Sequence, residues 1–343
     1  MQGFLAWTCR GKAGNTAAYP GRSSGICADL NSWIFHINGV YDTSVGNRRF
    51  RITYVFPPNW IFDEVRFCYE RAAARLSGIT IRHDYYYWTP EKPEWDDPDL
   101  AVIFLCNIPW VVPPGRRAKF IFQYVESVGD PRNMVPEQRK WLEYYMTRAQ
   151  EPDLFLGGTP TVRDFWAPLA RRSALTPLGY NPEIMGSPDW TRAKTYDVGF
   201  CGVNVGRREW ILPALQRRLG NRFLNITAFG RARNDAFDFC KAMLYIGHSE
   251  ERAFADMRLW SAVATSAALV TEDRDAWPAI PGKHYLTLPH AQKENPDEFV
   301  DAVEKALKEP LVDIAKAMHK DLSVFTTEEC ITKFTIPAIE AIA

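Results

Sequence analysis

Apolar residues in the first half of the chain occur either as short continuous runs or at helical spacing. The runs predict strands at 51–56, 79–87, 100–106, 119–125 and 154–156. Apolar positions three and four residues apart predict helices at 63–76 and 136–150. Strands that alternate with helices are typical of right-handed crossovers and of a parallel sheet.

The segment Asn181–Thr195 is polar, contains two prolines and has no hydrophobic period, which is typical of a linker. After it the alternation begins again, with strands predicted at 198–201, 223–226, 243–246, 268–271 and 285–288, and helices at 208–219, 256–264, 296–307, 311–322 and 326–342. A single large sheet would need no linker, so we expect two Rossmann-like α/β domains that face each other across a cleft. The expected parts are an N-terminal extension (1–48), a first domain (49–180), the linker (181–195), a second domain (196–325) and a C-terminal helix (326–343).

The composition is that of a globular protein, and the 343 residues are enough for two domains. The formal net charge is zero, so no global attraction to nucleic acid or to anionic membranes is expected. No apolar run approaches the ~18 residues that a membrane helix requires. No two cysteines form a C-x-x-C pair, and four lie in apolar segments: Cys68, Cys106, Cys201 and Cys240. These features favour a cytoplasmic protein whose cysteines are reduced core residues.

Candidate chemistry is concentrated between Asp197 and Glu272, where strands pass into helices. A group of small and basic residues follows the strand predicted at 198–201: Gly202, Asn204, Gly206, Arg207 and Arg208. Arg258 lies near the start of the helix predicted at 256–264. The first turn of a helix offers unpaired N–H groups and partial positive charge, and glycine permits close approach of the backbone. Arginines at such places predict a site for a phosphorylated ligand.

Two longer stretches of this region resemble a known family. FCGVNVGRREWILPAL, from Phe200, resembles the strand–turn–helix that opens the C-terminal domain of GT-B glycosyltransferases. MRLWSAVATSAALVTED, from Met257, is similar to the donor-site segment of the spore-maturation (CgeB-like) group, whose form is close to R-L-F-E-A-L-A-x-G-A-L-L-x-T-E. Leu175–Glu183 and Pro281–Leu286 resemble further elements of that group, and the resemblance covers about residues 50–310. It implies a GT-B fold and a hexosyl or pentosyl transferase whose donor substrate is a nucleotide-diphosphate sugar, such as a UDP-sugar, with no other cofactor.

Several residues are candidates for binding this donor. Glu272 ends a strand and would hold sugar or ribose hydroxyls, while His248 and Arg231 follow other strand ends and would face the donor and its base. For each of these residues a purely structural role stays open. Ser261 departs from the group, which has a glutamate there that commonly binds the donor ribose. A serine forms fewer hydrogen bonds and has no charge, so the ribose is held elsewhere, the donor is unusual or catalysis is lost.

The first domain is expected to bind the acceptor and to supply a general base. Glu126 and Asp130 follow the strand predicted at 119–125, and Asp63 follows the first strand. The carboxyl ends of parallel strands lie on the cleft side, so these residues are candidates to deprotonate an acceptor hydroxyl. The sequence has no H-E-x-x-H motif and no cysteine cluster, so we expect a transfer that uses no metal.

Three alternative functions stay open. An epimerase of the same fold would act on the nucleotide sugar without an acceptor. A nucleotide-sugar-binding protein that has lost catalysis would be consistent with the serine at 261. A phage-type transferase would modify hydroxymethylated pyrimidines in DNA, for which Arg48-Arg49, Arg116-Arg117 and Arg171-Arg172 could form a basic groove. The leading acceptor is an unspecified hydroxyl of a glycan or small molecule.

Overall fold

The computed structural model describes residues 50–57, 63–82, 92–126, 128–247, 249 and 256–342. The predicted N-terminal extension lies outside the described residues, and so does the part of the strand predicted at 79–87 that follows Arg82. Within the described ranges, no helix combines the length and the apolar sequence needed to cross a membrane.

The first domain is built on a parallel sheet, with six strands in the described residues. They are β1 Arg51–Val55, β2 Ile79–Arg82, β3 Leu100–Leu105, β4 Lys119–Tyr124, β5 Leu154–Gly157 and β6 Ser173–Leu175, in the spatial order β2-β1-β3-β4-β5-β6. Helices follow β1, β4 and β5: α1 Asp63–Arg75, α2 Pro136–Thr147 and α3 Pro160–Trp166. Every residue of β3 is buried, as its continuous apolar sequence predicts for a strand covered on both faces.

The second domain repeats this plan after the linker. The linker contains one short helix, α4 Pro182–Met185, and the strands that follow are β7 Tyr196–Cys201, β8 Phe223–Ile226, β9 Cys240–Tyr245, β10 Ala268–Glu272 and β11 Tyr285–Leu288. These strands are parallel and have the order β11-β10-β9-β7-β8. The helices between and after them are α5 Arg208–Leu219, α6 Gly230–Phe237, α7 Asp256–Val263, α8 Pro296–Ala306 and α9 Leu311–Leu322.

Both sheets place their first strand between the second and the third. In the second sheet β7 lies between β8 and β9, so the crossover that leaves β7 and the one that leaves β9 diverge. Such a divergence opens a crevice at the carboxyl ends of the strands, which is where open α/β sheets bind their ligands. Two α/β domains with parallel sheets confirm the predicted fold class, and they locate the crevice of the second domain beside β7 and β9.

The apolar core is continuous between the two domains on one face of the second sheet. Leu259 and Trp260 of α7 belong to the same buried cluster as the strands of the first domain. A separate cluster fills the other face, where Leu215 of α5 and Val300 of α8 cover Val198 of β7. The domains are therefore joined by buried apolar surface as well as by the chain.

The chain crosses between the domains at the linker and again after α9. The two crossings are adjacent, because the N–H of Tyr180 donates to the carbonyl of Phe325 (2.8 Å) and the N–H of Thr327 donates to the carbonyl of Tyr180 (3.1 Å). The C-terminal segment then forms α10 Thr327–Cys330, a π-helical turn Ile331–Thr335 and α11 Ile336–Glu340. The first of these packs on α1, and the π turn packs on β6, so the end of the chain covers the first domain.

Some elements differ from the prediction, for local reasons. The helix predicted at 326–342 is interrupted by the π turn, next to Pro337, which lacks the N–H that a regular helix needs. Sequence analysis missed α3 and β6 because both are very short. It also missed α6, whose sequence GRARNDAF has too few apolar positions to show a helical period.

Candidate functional site

The candidate site lies at the carboxyl edge of the second sheet, where the crossovers from β7 and β9 diverge. Three segments that carry predicted donor residues meet this edge: loop 202–207 after β7, helix α7 after β9, and Glu272 at the end of β10. Because β7, β9 and β10 are neighbours in the sheet, these segments lie along one continuous stretch of the edge.

Arg208 is buried and joins the ends of β7 and β9. Its Nε donates to the carbonyl of Ile246 (2.8 Å), and its Nη1 donates to the carbonyl of Val203 (3.0 Å). The guanidinium also lies over the ring of Phe200, 5.4 Å from its centre. A Cβ at Gly202 would stand 2.9 Å from Nη1, so glycine makes room for this arginine. Arg208 is thus engaged with the backbone of the crevice wall, and its contact with a donor stays a prediction.

Three further candidates lie in the loop after β7: Asn204, Gly206 and Arg207. Asn204 is exposed, and Gly206 has a φ of 60°, a conformation that favours glycine. Arg207 reaches across the edge of the sheet: its Nη1 donates to Glu272 Oε2 (3.1 Å), and its Nη2 donates to Glu272 Oε1 and to the carbonyl of Ala291 (3.1 Å).

Glu272 is fully buried among hydrogen-bond donors. Besides Arg207, its carboxylate accepts from Arg274 Nη2 (2.8 Å) and from the N–H of Ala291 (3.0 Å), and His290 Nδ1 lies 3.5 Å away. Burial acts to raise the pKa of Glu272, but hydrogen bonds from His290 and Arg207 and the charge of Arg274 outweigh it and hold the pKa well below its usual range. The residue is therefore an ionised anchor for Arg207, and its binding of donor hydroxyls stays a prediction.

Arg258 lies in the first turn of α7 and is partly buried. Its Nη1 is a buried atom with no hydrogen-bond partner among the described residues. Burial, and to a lesser degree the charge of Arg258, lowers the pKa of Arg233, which means that the two guanidinium groups are close enough to interact. A buried, charged N–H group without an acceptor is unfavourable, so this atom needs an anionic or polar partner.

Ser261 is fully buried and its hydroxyl is already engaged. Its Oγ donates to the carbonyl of Met257 (2.8 Å) and accepts a hydrogen bond from Arg233. The same guanidinium donates to Glu64 Oε1 of the first domain (2.8 Å), and the two side chains are only 2% and 7% exposed. A carboxylate from the first domain therefore reaches the guanidinium that faces Ser261. Donor binding by Ser261 stays a prediction.

Arg233 and Glu64 lie in the candidate site and are residues that sequence reasoning missed. The acidic pair Asp63-Glu64 at the start of α1 is a signal in the sequence, but it does not show which of the two carboxylates faces the second domain. Acidic residues in the first turn of a helix are also ordinary without any site. The two other candidates are less central: Arg231 is exposed and approaches Gly186 of the linker, and His248 lies outside the described residues.

The acidic candidates of the first domain fall on two different loops. Asp63 begins α1 and pairs with Arg66 (3.0 Å). Asp130 accepts a hydrogen bond from the N–H of Arg132 (2.9 Å) and pairs with its guanidinium. Glu126 is partly buried on the same loop after β4, and its charge adds to burial in raising the pKa of Cys106. Glu126 and Asp130 thus share the loop after β4 while Asp63 lies on α1, and all three catalytic roles stay predictions.

A cavity of about 550 Å³ lies beside Asp130 at the carboxyl ends of β4 and β5. It is lined by Val128, Gly129, Asp130, Pro131, Thr161, Asp164 and Phe165. The N–H of Thr161 donates to Asp275 Oδ2 of the second domain (2.9 Å), so one wall of the cavity is tied to the loop that follows β10.

The arginines considered for a DNA groove lie at the opposite edge of the first sheet. Arg116-Arg117 precedes β4 and Arg171-Arg172 precedes β6, which places both at the amino ends of the strands. Arg116 Nη2 and Arg171 Nη1 both approach the carboxylate of Asp153, at 3.1 and 3.7 Å. These residues therefore form no basic groove on the cleft side, while Arg48-Arg49 lies outside the described residues.

Metal-ligating side chains do not cluster in the described part of the chain: no three His, Cys, Asp or Glu residues there come together as a possible metal site. The four cysteines predicted to be reduced core residues, Cys68, Cys106, Cys201 and Cys240, are free and buried.

Comparison with known proteins gives structural matches only. No family model and no curated protein sequence matches the chain. Among solved structures, the chain is similar to sucrose-phosphate synthase from Thermosynechococcus elongatus, with a TM-score of 0.57, 10% identity, and coverage of 83% of this chain and 97% of that one. It is also similar to HepE from Anabaena in complex with UDP-glucose, with a TM-score of 0.56, 10% identity, and coverage of 85% and 99%.

The fold is GT-B. A third structure, AviGT4, a glycosyltransferase involved in avilamycin A biosynthesis, has a TM-score of 0.51, 11% identity, and coverage of 85% of this chain and 97% of that one. The chain spans 54% of TarM, at a TM-score of 0.49, which is too low a likeness to support an argument. The sequence resemblance to GT-B proteins is thus confirmed at the level of the fold.

Proposed function

We propose that the chain is a metal-independent glycosyltransferase that moves a sugar from a nucleotide-diphosphate sugar, with UDP as the first nucleotide to test, to an acceptor hydroxyl. The GT-B fold supports this proposal, as does the UDP-glucose found in HepE at 10% identity. The similarity of the segment from Met257 to the CgeB-like donor segment supports a relation to that group.

The observation that carries the proposal is the buried Nη1 of Arg258, which has no acceptor among the described residues. This atom lies in the first turn of α7, at the crevice where α/β sheets bind ligands. A second guanidinium group, that of Arg233, is close enough to interact with it. A phosphate oxygen would give this N–H a charge-assisted hydrogen bond, roughly twice as strong as a neutral one. The first turn of α7 would add partial positive charge.

The same groups would serve the chemistry of transfer. When the sugar leaves, negative charge develops on the departing diphosphate. Arginines and a helix N-terminus stabilise such charge without a metal ion when they are already oriented in the crevice. Glu126 or Asp130 would then accept the proton of the acceptor hydroxyl.

Calorimetry with UDP in the presence of a chelator tests the proposal. The full chain should bind UDP, and Arg258→Ala should weaken binding by at least about tenfold, the effect of losing one charge-assisted contact of roughly 1.4 kcal/mol. Arg217→Ala is the matched control, because Arg217 is exposed in the last turn of α5, at the end opposite Arg208, and pairs with Asp297 of α8 (3.1 Å). Failure to bind any nucleoside diphosphate, or equal binding by Arg258→Ala, would refute the assignment.

A second candidate is a nucleotide-sugar-binding protein without catalysis, and one observation favours it. The hydroxyl of Ser261 is buried and donates its only proton to Met257, so it has no O–H left for the donor in this arrangement. This candidate predicts UDP-sugar binding with neither transfer nor hydrolysis. Measured release of UDP from a UDP-sugar, with and without glycan acceptors, separates the two functions.

A further inference from the structure

The cavity beside Asp130 is lined by two acidic side chains and several apolar ones. We propose that this cavity binds the acceptor, and that the acceptor is an uncharged or amine-bearing saccharide rather than an anion; the inference rests on the proposed function. The volume of about 550 Å³ lies within the range of small-ligand sites, roughly 300–1,000 Å³.

The charged side chains of the lining are acidic. Asp130 and Asp164 face the cavity, and none of the described residues that line it is basic. Their partners Arg132 and Arg163 are outside the lining, with side chains 88% and 38% exposed. An anion in the cavity would lie against two carboxylates whose arginine partners are already engaged in ion pairs, which is unfavourable. Hydroxyl and ammonium groups would instead donate hydrogen bonds to these carboxylates.

The apolar part of the lining suits the C–H face of a sugar ring. Val128, Pro131 and Phe165 form this part, and aromatic side chains offer a broad apolar surface. The ring of Phe165 packs edge-on against Trp166, with 5.1 Å between ring centres, and Trp166 is fully buried. The orientation of Phe165 is therefore fixed by the core beneath it.

The position of the cavity connects it with the candidate donor site. Its wall is joined to the second domain by the hydrogen bond from Thr161 N–H to Asp275. Asp275 follows β10 directly after Glu272 and Arg274, the residues of the buried cluster that holds Arg207. A saccharide in the cavity would lie between the loop after β4 and α3, beside the hydrogen bond that ties α3 to the second domain.

The test measures binding of three probes to the full chain, without nucleotide, by saturation-transfer NMR: methyl glucoside, glucosamine and glucose 6-phosphate. The first two should bind, and glucose 6-phosphate should bind at least about tenfold more weakly. Phe165→Ala should weaken methyl glucoside binding about fivefold or more because it removes apolar contact surface. Asp164→Asn should have an effect of similar size because it replaces a charged hydrogen-bond acceptor with a neutral amide. The control Asp313→Asn, which changes an exposed carboxylate on α9, should bind as the native chain does.

Two results would overturn the inference. Equal or tighter binding of glucose 6-phosphate would contradict selection by charge. Absence of binding by all three probes, or binding that both lining variants leave unchanged, would contradict the site; both side chains are partly exposed, and circular dichroism checks that the variants are folded. The probes are measured without nucleotide, so this test does not depend on UDP binding. If the saccharides bind as expected but UDP does not, the proposed function is refuted while the saccharide site is not.

Discussion

Glu64 Oε1 lies 2.8 Å from Arg233 Nη2, and this buried pair joins α1 of the first domain to α6 of the second. Removing two charges from water costs several kcal/mol for each ion, so such a pair is favourable only when its geometry and further hydrogen bonds are good. Arg233 has these, because it also donates to Ser261 and to Asn234 Oδ1 (3.0 Å). The first domain therefore supplies one negative charge to a region of the second that holds two guanidinium groups.

Loss of this carboxylate should destabilise the protein strongly. Glu64→Gln leaves the buried guanidinium of Arg233 without a counter-charge, and breaking a buried pair in this way typically costs about 3–5 kcal/mol. We expect the free energy of unfolding, measured with urea, to fall by that amount. Adding Arg233→Met removes the uncompensated charge and should recover part of the loss.

Glu70→Gln is the matched control for this prediction. Glu70 lies on the same helix and pairs with Arg66 (2.9 Å), with side chains 20% and 14% exposed, but the pair stays within one domain. A partly exposed pair at this spacing contributes about 0.3–0.5 kcal/mol. Equal losses for Glu64→Gln and Glu70→Gln would show that the interdomain pair has no special role.

Arg258→Met should separate stability from ligand binding. The substitution removes a buried N–H that has no partner among the described residues and a charge that acts against Arg233. We expect the free energy of unfolding to stay within about 1 kcal/mol of native, or to rise, while UDP affinity falls. Arg208→Met, which deletes the hydrogen bonds to Ile246 and Val203, should lose about 2 kcal/mol or more in the same urea measurement. A large stability loss in Arg258→Met would indicate a structural role for this arginine.

Acid should weaken the cluster around Glu272. The pKa of Glu272 is lowered in the folded chain from an ordinary value of 4.5, so its contribution to stability is present above pH 4.5 and is lost as the pH falls towards the folded pKa. Glu272→Gln does not titrate at this position. Its free energy of unfolding should be lower at neutral pH and should fall less steeply than that of the native chain below pH 4.5. Parallel pH profiles for the two proteins would contradict this account.

We expect position 179 to require glycine, because it lies in close contact with the backbone where the chain crosses back to the first domain. Gly179 has a φ of 85°, and a Cβ there would meet backbone atoms of Thr326 and Thr327 at 2.8 Å. Gly115 has a similar φ of 75° but has nothing within 4 Å of the added atom. Gly115→Ala should therefore cost only the backbone strain of about 1–2 kcal/mol, and Gly179→Ala should cost more. Thermal unfolding measures the difference, and similar losses in both variants would argue against a tight contact.

The strands and most long helices could be predicted because each carries its own signal. Leu100–Leu105 is apolar throughout, and α5 and α9 occupy the predicted residues 208–219 and 311–322. The edge that carries Arg207, Arg258 and Glu272 could also be predicted, since a parallel sheet aligns the carboxyl ends of its strands.

The contacts between these side chains could not be predicted. The pairing of Arg207 with Glu272 depends on the order of the strands, and that of Arg233 with Glu64 depends on how the two domains pack. A single sequence shows neither the order of the strands nor the packing of the two domains. The placement of Arg116-Arg117 at the far edge can be predicted, because these residues precede a predicted strand and therefore lie at its amino end.

The paired crossings at Tyr180 and Thr326 limit how the two domains can move. Two stretches of backbone pass from one domain to the other side by side, and hydrogen bonds hold them together. A rotation of one domain relative to the other that keeps both stretches intact has its hinge axis close to Tyr180 and Thr326. Opening about this axis would have to alter the contacts that join the domains elsewhere, including Glu64 with Arg233 and Thr161 with Asp275.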